Sequence, residues 1–328
     1  MSPSIIYLLK RLGIYTVAGW AAITLNFFIP RMMPGDPVSV MFASFRGKLK
    51  PEAMEALKQT FGFTEGPLLD KYFTYLKHLL NGDLGISTAY FPEQVSSIIL
   101  SGLGWTLLLV GTSLIISFII GTIIGITIAW RRDGKLDSIL PPTFSFISSF
   151  PYFFTAMLLL YFLGFKLGWF PIRHAYNSDL IPGFNLEFIS SCIHHAILPA
   201  STLIFMGIGG WMLQMRNNMM GTISTDYISF AKSKGLSQRR IMLFYAARNA
   251  VLPIVTSFGM AIGFILNGTI LTEIIFSYPG QGYILFQAVQ AQDFQLMQGI
   301  FLTITLAVLA ANWVIDILVL ILDPRTRI

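Results

Sequence analysis

The sequence is poor in charge and has almost no cysteine. Asp, Glu, Lys and Arg make up 12% of its 328 residues. A soluble domain carries roughly a quarter, so this composition excludes an ordinary soluble domain and a disordered chain. Because Cys192 is the single cysteine, neither a disulfide within the chain nor a cysteine-based metal cluster can form. Hydrophobic residues make up 54% and the mean hydropathy is +0.67, which predicts a membrane protein.

Six apolar stretches are long enough to cross a membrane. The first follows Lys10 and Arg11 and superficially resembles a signal peptide, but no small-residue cleavage site follows it, so we expect it to be retained. The stretches are hydrophobic on all sides, unlike the helices of soluble cores. They predict an all-α membrane protein with six transmembrane helices, at about 12–29, 103–130, 138–163, 194–215, 250–274 and 296–322.

The positive charges indicate the orientation. The two termini and the loops after the second and fourth predicted helices hold thirteen Lys and Arg residues, whereas the short loops on the other side hold two, Lys166 and Arg173. Since short cytoplasmic loops are the positive ones, both termini are predicted to be cytoplasmic. The formal charge of +6 is therefore mainly a topology signal. We expect contact with membrane lipid and no binding of nucleic acid.

The segment 31–102 is predicted to be an extracytoplasmic insertion. It holds seven basic and seven acidic residues, and loops of this length cross a membrane regardless of charge. Proline and glycine predict turns at 34–37 and 81–85. Local patterns predict helices at 51–61 and 70–80. Apart from this insertion, the whole chain reads as one membrane domain.

The loop 225–249 has the pattern of two helices outside the bilayer rather than of a polar connector. Thr225 is placed to cap the first helix with its side chain. Gly235 is placed to end it, where a left-handed conformation is wanted. Ser237 is placed to cap the second helix.

Two interpretations of this loop compete. The second helix has an apolar face of Ile241, Phe244 and Tyr245, which fits an amphipathic helix lying on anionic lipid. The small residues Ala231 and Gly235 would instead allow close approach of another surface, as in a docking element for a cytoplasmic partner. On pattern alone the lipid interpretation is favoured, because basic amphipathic helices are common at membrane surfaces.

A set of spaced motifs changes that balance. Within the loop they are Asp226-Tyr227, 231–236, Ile241, 248–250 and Leu252-Pro253. Along the rest of the chain they are Pro34-Gly35-Asp36-Pro37, Gly82-Asp83-Leu84-Gly85, His195, Leu198-Pro199, Arg216, Glu273, Phe276, Pro279-Gly280, Gly282, Asp293 and Asp323-Pro324-Arg325. The loop resembles the EAA loop of permease subunits in binding-protein-dependent ABC importers. More specifically, the chain resembles the oligopeptide, dipeptide and nickel permease family over nearly its whole length.

The loop departs from the family pattern at a few positions. Asp226 and Tyr227 stand where general permeases often have Glu. Lys232 and Ser233 stand where Arg and Ala are common, and Tyr245-Ala246 where His is frequent. None of these differences removes the small-residue and glycine positions on which docking depends.

The resemblance implies a type I ABC importer permease fold in the plasma membrane of a prokaryote, the inner membrane if Gram-negative. The implied partners are a second homologous permease subunit, two ATPase subunits and an extracytoplasmic solute-binding protein. The implied substrates are di- or oligopeptides, with cellobiose-like oligosaccharides or nickel chelates as alternatives. The loop would be the coupling helix that sits in a groove of the ATPase. The residues expected to couple to the ATPase are Asp226, Tyr227, Ala231, Lys234, Gly235, Arg239, Arg240, Ile241, Arg248, Asn249 and Pro253.

No catalytic or energy-converting motif is present. The sequence contains no G-x-x-x-x-G-K-[ST], so the chain is expected to bind no cofactor itself, with ATP and Mg²⁺ used by partner subunits. It also contains no G-x-S-x-G and no H-E-x-x-H, so we expect no enzyme activity. The spacing of His174, Cys192, His194 and His195 matches no zinc motif, and no metal site is expected.

Polar residues and helix breakers within the predicted spans are candidates for the pathway, because ionisable groups in lipid are costly. We expect Asp316 to pair with a basic group such as Arg11. Glu273 is left open between a pathway role and capping the turn at 278–280. The candidate pathway or gate residues are Glu273, Asn267, Ser148 and Ser149. Three prolines of the third span, Pro141, Pro142 and Pro151, mark a hinge, a polar strip with nearby serines, or simple packing.

Gly121 and Gly125 lie four residues apart in the second predicted span. They are expected to allow close contact with another helix of the same chain.

A secondary transporter or channel is the rival function from another class. It would be expected to show inverted repeats, or interrupted helices with a charged site at the midplane, and neither is apparent in the sequence.

Overall fold

The computed structural model describes residues 3–32, 66–263, 265 and 270–322. Within these ranges the chain is helical without a named strand, and Ile86 and Gln94 form an isolated β-bridge. Four sequence predictions lie outside the described residues: the turn at 34–37, the helix at 51–61, Asn267 and the motif at 323–325.

The helices are numbered here in chain order. They are α1 Pro3–Arg31, α2 Leu68–Leu80, α3 Val95–Trp130, α4 Lys135–Ser148, α5 Tyr152–Lys166, α6 Leu186–Ile223, α7 Asp226–Ser233, α8 Gln238–Ala250, α9 Leu252–Gly263, α10 Ile270–Ile275, α11 Gln281–Gln290 and α12 Phe294–Leu322. Helices α5 and α8 contain π-helical segments, at Leu160–Lys166 and Ile241–Ala247.

Four helices are long and apolar enough to cross a membrane, and two bent pairs pass the same test together. The four lie within α1, α3, α6 and α12, and the pairs are α4 with α5 and α8 with α9. The number of candidate spans is therefore four, or up to six if each pair is one span.

The third predicted span is not one continuous helix. Helices α4 and α5 are bent by 96° at the break around Ser149. Pro151 explains the break, since it lacks an N–H and pushes the preceding residue out of helical conformation. Pro141 and Pro142 lie inside α4 without ending it.

Two other predicted spans have different bounds. Helix α6 extends beyond 194–215 at both ends, and it starts where the Asn185 side chain accepts a hydrogen bond from the Phe188 N–H, at 2.7 Å. The sequence predicts that the fifth span starts at 250, but the helix runs from Gln238 and bends by 48° before α9. Pro253 accounts for that bend, because it cannot donate to the carbonyl four residues earlier.

The chain divides into two compact units, Met1–Thr106 with Pro279–Ile328, and Leu107–Tyr278. In the first unit α1 packs along α12. The predicted pair is confirmed: Arg11 Nε lies 3.4 Å from Asp316 Oδ2. The hydroxyls of Tyr15 and Tyr7 also donate to this carboxylate, at 2.5 and 3.4 Å. Asp316 thus holds the two helices together.

The predicted helix 70–80 is confirmed as α2, which packs on α1. The rings of Tyr72 and Tyr75 lie 5.2 and 5.5 Å from the ring of Phe27. In the turns that follow, Gly82 and Gly85 have φ of +73° and +83°. The Asp83 carboxylate closes the turn by accepting hydrogen bonds from the His78 ring and the Gly85 N–H. These bonds lower the pKa of the Asp83 carboxyl.

The loop after these turns is anchored by a buried carboxylate at the start of α12. Asp293 is fully buried and accepts hydrogen bonds from Ser87 Oγ (2.5 Å), Ala89 N (3.0 Å) and Leu296 N (3.0 Å). Two segments more than 200 residues apart in the chain are thereby joined in one structural contact.

We expect Asp293→Asn to destabilise this unit by about 2 kcal/mol, because the amide cannot accept from all three donors and leaves a buried group unsatisfied. The measurement is the thermal aggregation midpoint of the purified protein in detergent. The control is Glu93→Gln, which changes an exposed acid of the same loop. Equal midpoints for both variants would contradict the anchoring role of Asp293.

In the second unit, Gly121 and Gly125 of α3 contact α6, as predicted. A Cβ on Gly121 would lie 2.6 Å from Trp211 Cβ and 2.8 Å from the Ile208 carbonyl oxygen. Aromatic rings extend this contact, with Phe118 5.3 Å from Trp211 and 4.3 Å from Phe258. Close approach of α3 and α6 therefore depends on glycine.

Candidate functional site

Helix α7, with 8 residues, lies against a buried cluster of the second unit. Its Ile228 and Ala231 are 0% and 3% exposed. The cluster brings together α3, α6, α7, α8 and α9, and its buried members are Ala129, Met215, Met219, Ile228, Ala231, Ile241, Ala246, Ala247, Ala250 and Ile254. The predicted role of Ala231 changes accordingly, because its small side chain packs against the chain's own core rather than facing another surface.

The two ends of α7 lie where the sequence predicts them, but the predicted capping hydrogen bond of Thr225 is not formed. Gly235 has φ +74° and ends the helix as predicted. Thr225 occupies the N-cap position, but its hydroxyl donates to the Thr222 carbonyl at 2.6 Å instead of accepting from the helix. Ser237 likewise precedes α8 without a side-chain capping bond. The turn between α6 and α7 is thus closed by Thr225 in a different way.

Two polar side chains join α7 and α6 to α8. Asn249 Nδ2 donates to Tyr227 Oη at 2.9 Å and to the Tyr245 carbonyl at 3.0 Å. Asn218 of α6 donates to the Ala250 carbonyl at 3.2 Å. These bonds join α7 to α8 and α6 to α8, and residues of all three helices share the buried cluster.

The predicted apolar face of α8 is wrong at one position. Ile241 is fully buried and Tyr245 is half-buried, but Phe244 is 66% exposed. The cause is the π-helical segment Ile241–Ala247, whose i→i+5 bonds turn the chain less per residue than an α-helix. Ala246 and Ala247 are buried instead.

The side of α7 that faces away from the cluster is exposed. It includes Phe230, which is 63% exposed and has the Lys234 ammonium 4.6 Å from its ring centroid. Phe230 was not among the residues predicted to couple to the ATPase. The pattern could have indicated it, because buried residues at 228 and 231 leave 230 on the opposite side of a helix. Other predicted coupling residues that are exposed here are Asp226, Tyr227, Gly235, Arg239, Arg240, Arg248, Asn249 and Pro253.

The candidate pathway residues lie elsewhere. Ser148 and Ser149 are exposed at the break between α4 and α5, and Ser149 Oγ donates to the Ser145 carbonyl at 2.9 Å. Glu273 is fully buried in α10, and its backbone carbonyl accepts from Tyr278 N at 2.8 Å. None of these three residues belongs to the buried cluster at α7.

The histidines considered as metal ligands make contacts with the backbone. His194 Nε2 is 3.1 Å from the Trp169 carbonyl oxygen, and His195 Nδ1 is 2.8 Å from the Ser191 carbonyl oxygen. Among the residues described, His, Cys, Asp and Glu form no group of three that could hold a metal ion.

Comparison with known proteins agrees with this architecture. Residues 121–328 match the model of the family described as binding-protein-dependent transport system inner membrane component. A dipeptide transport system permease protein of Lactococcus lactis is 32% identical over 98% of this chain and 99% of its own length. An oligopeptide transport system permease protein of Bacillus subtilis is 32% identical over 92% of each chain. A dipeptide transport system permease protein of Escherichia coli is 30% identical over 98% of each. The protein therefore belongs to the family of inner-membrane permease components of binding-protein-dependent transport systems.

Proposed function

We propose that the chain is the permease subunit of an ATP-driven ABC importer for di- or oligopeptides, and that it forms half of the translocation pathway beside a second, homologous permease. The family match and the names of the relatives support this assignment. One structural observation carries the coupling role. Helix α7 is fixed on one side to the long helices of its own chain and exposed on the other.

The proposed topology has six spans, with each bent pair counted as one, and both termini in the cytoplasm. The four long apolar helices and the two bent pairs support the number of spans. The excess of thirteen basic residues over two in short segments supports the orientation. In this arrangement 31–102 lies outside, where the solute-binding protein would dock, and 225–249 lies on the side of the two ATPase subunits.

The predicted coupling residues then divide into two sets. An outer set would contact the ATPase groove and consists of Asp226, Phe230, Lys234, Gly235, Arg239, Arg240 and Arg248. An inner set holds α7 in place and consists of Tyr227, Ala231, Ile241 and Asn249, with Pro253 at the bend into α9. The centre of the outer set is an aromatic side chain, and aromatic residues are among those that most often dominate binding energy at interfaces.

This arrangement converts movement of a partner into movement of membrane helices. Because α7 is bonded to α8 and shares its buried cluster with α6, displacement of α7 carries both helices with it. Binding and hydrolysis of ATP, with Mg²⁺, belong to the partner subunits, and this chain supplies no catalytic group. The exposed serines at the break after α4, Ser148 and Ser149, stay candidates for the pathway, as do Glu273 and Asn267.

The proposal is tested by reconstituting the complete importer, with its binding protein and ATPases, in proteoliposomes. We expect radiolabelled dipeptide to accumulate only when ATP is present on the ATPase side. Cellobiose and a nickel chelate are measured in parallel, and ATP-driven uptake of either one instead would overturn the peptide assignment. Uptake driven by an ion gradient without ATP would identify a secondary transporter.

A second experiment tests whether the exposed side of α7 binds the ATPase. Phe230→Ala should weaken association with the ATPase by about tenfold or more, since truncating a central aromatic anchor typically costs about 2 kcal/mol. Phe165→Ala removes an aromatic from α5 that is 72% exposed, and it serves as the control. Co-purification of the ATPase with each variant gives the readout. Equal recovery with both variants would remove α7 from the interface.

A further inference from the structure

A short segment of α6, residues 214–219, joins several of the helices around the coupling site. Met215 and Met219 are fully buried in the cluster beneath α7. Gln214 Nε2 donates to Ser257 Oγ of α9 at 2.7 Å, and Asn218 bonds the end of α8. The remaining side of this segment carries Arg216, which points to a different element.

Arg216 forms a bidentate ion pair with Asp137, which lies in the first turn of α4. Arg216 Nε donates to Asp137 Oδ1 at 2.5 Å, and Nη2 donates to Oδ2 at 3.0 Å. The Asp137 side chain is 5% exposed and the Arg216 side chain 25%. The Asp133 N–H adds a third bond to this carboxylate, at 3.2 Å. A bidentate pair between a planar guanidinium and a carboxylate fixes the relative orientation of the two side chains as well as the distance between them.

A buried ion pair is poor evidence for stability, because two apolar side chains of similar size often stabilise a fold as well or better. What the pair fixes is one register between α4 and α6. A second contact between the same helices lies further along, where Phe144 and Ser148 of α4 pack against Gly209. Helix α4 is thus held to α6 at both ends, and it leads directly into the 96° bend before α5.

We infer that Asp137 and Arg216 are positioning residues that make α4 move with α6, so that displacement of α7 reaches the bend at Ser149. The inference rests on the proposed coupling function of α7. It extends the moving unit beyond the helices that flank the loop. The pair supplies a rigid, directional link at the point where α6 also holds α7, α8 and α9.

The test uses the complete reconstituted importer. Cys192→Ser removes the single cysteine, and Phe150→Cys then places an exposed thiol at the bend. Asp137→Leu/Arg216→Met removes both charges together, so that neither partner is left buried alone. Arg132→Gln, which disrupts an exposed pair with Asp133 nearby, is the matched control.

We expect the double variant to assemble and to keep ATP hydrolysis stimulated by the binding protein, while peptide uptake falls about tenfold. Labelling of the thiol at position 150 should change between nucleotide-free and ATP-bound states in the control but not in the double variant. Normal uptake by the double variant would overturn the inference. Parallel loss of assembly, hydrolysis and uptake would also overturn it, since it would assign the pair a purely structural role. Failure of the proposed function itself would appear separately, as uptake by the unmodified importer that does not need ATP.

Discussion

Replacing Gly125 with alanine is expected to prevent normal assembly of the protein, whereas Gly111→Ala in the same helix should leave assembly unchanged. A Cβ on Gly125 would lie 2.6 Å from both the Met212 carbonyl oxygen and Met215 Cβ. One of these obstacles is backbone, so a change of rotamer cannot relieve the contact. The two helices would have to separate. A Cβ on Gly111 would meet nothing within 4 Å.

Gly125→Ala is expected to lower the free energy of unfolding by about 1–3 kcal/mol, the usual cost of overpacking a close contact. The loss should spread to the coupling site, because Met215 also belongs to the buried cluster under α7. The measurement is the yield of monodisperse protein after detergent extraction, together with its thermal aggregation midpoint. If both alanine variants behave alike, the packing of α3 on α6 is not limited by glycine, and the assignment fails.

Local patterns in the sequence were sufficient for the features that depend on nearby residues. Long apolar runs predicted the long helices, and glycines four residues apart predicted the contact between α3 and α6. Gly235 predicted the end of α7, because a left-handed residue is needed at that position whatever the surroundings. The pairing of Asp316 with Arg11 followed from the cost of leaving a charge unpaired in lipid.

Features that depend on distant partners could not be predicted in the same way. Apolar periodicity assumes a regular α-helix. It therefore predicts a buried face that includes Phe244, whereas the π-helical segment of α8 turns this side chain outward. The small size of Ala231 indicates a close contact but not with which surface, and the contact is with the chain's own core. The sequence also does not indicate that Asp137 and Arg216 meet, because the two residues are 79 positions apart and adjacent only once α4 packs on α6.

Substitutions of Gly235 are expected to reduce peptide uptake for two separable reasons, one of backbone conformation and one of docking. The residue has φ +74°, and a Cβ there would meet nothing within 4 Å on this chain. On this chain the constraint is therefore conformational, and Gly235→Val should distort the end of α7, since a β-branched residue is strongly disfavoured at positive φ. Gly235→Asn tolerates the left-handed conformation, so it keeps the turn and adds only a side chain on the exposed face.

The Asn variant therefore isolates docking from folding. If the ATPase approaches closely at this position, Gly235→Asn should lower uptake and ATPase association about tenfold, while its thermal aggregation midpoint stays that of the unmodified protein. Gly168→Asn is the matched control, because Gly168 has φ +64° and equally open surroundings but lies outside the loop. Normal uptake by Gly235→Asn, with loss confined to Gly235→Val, would show that the glycine serves the conformation of the turn and that the ATPase does not contact this position.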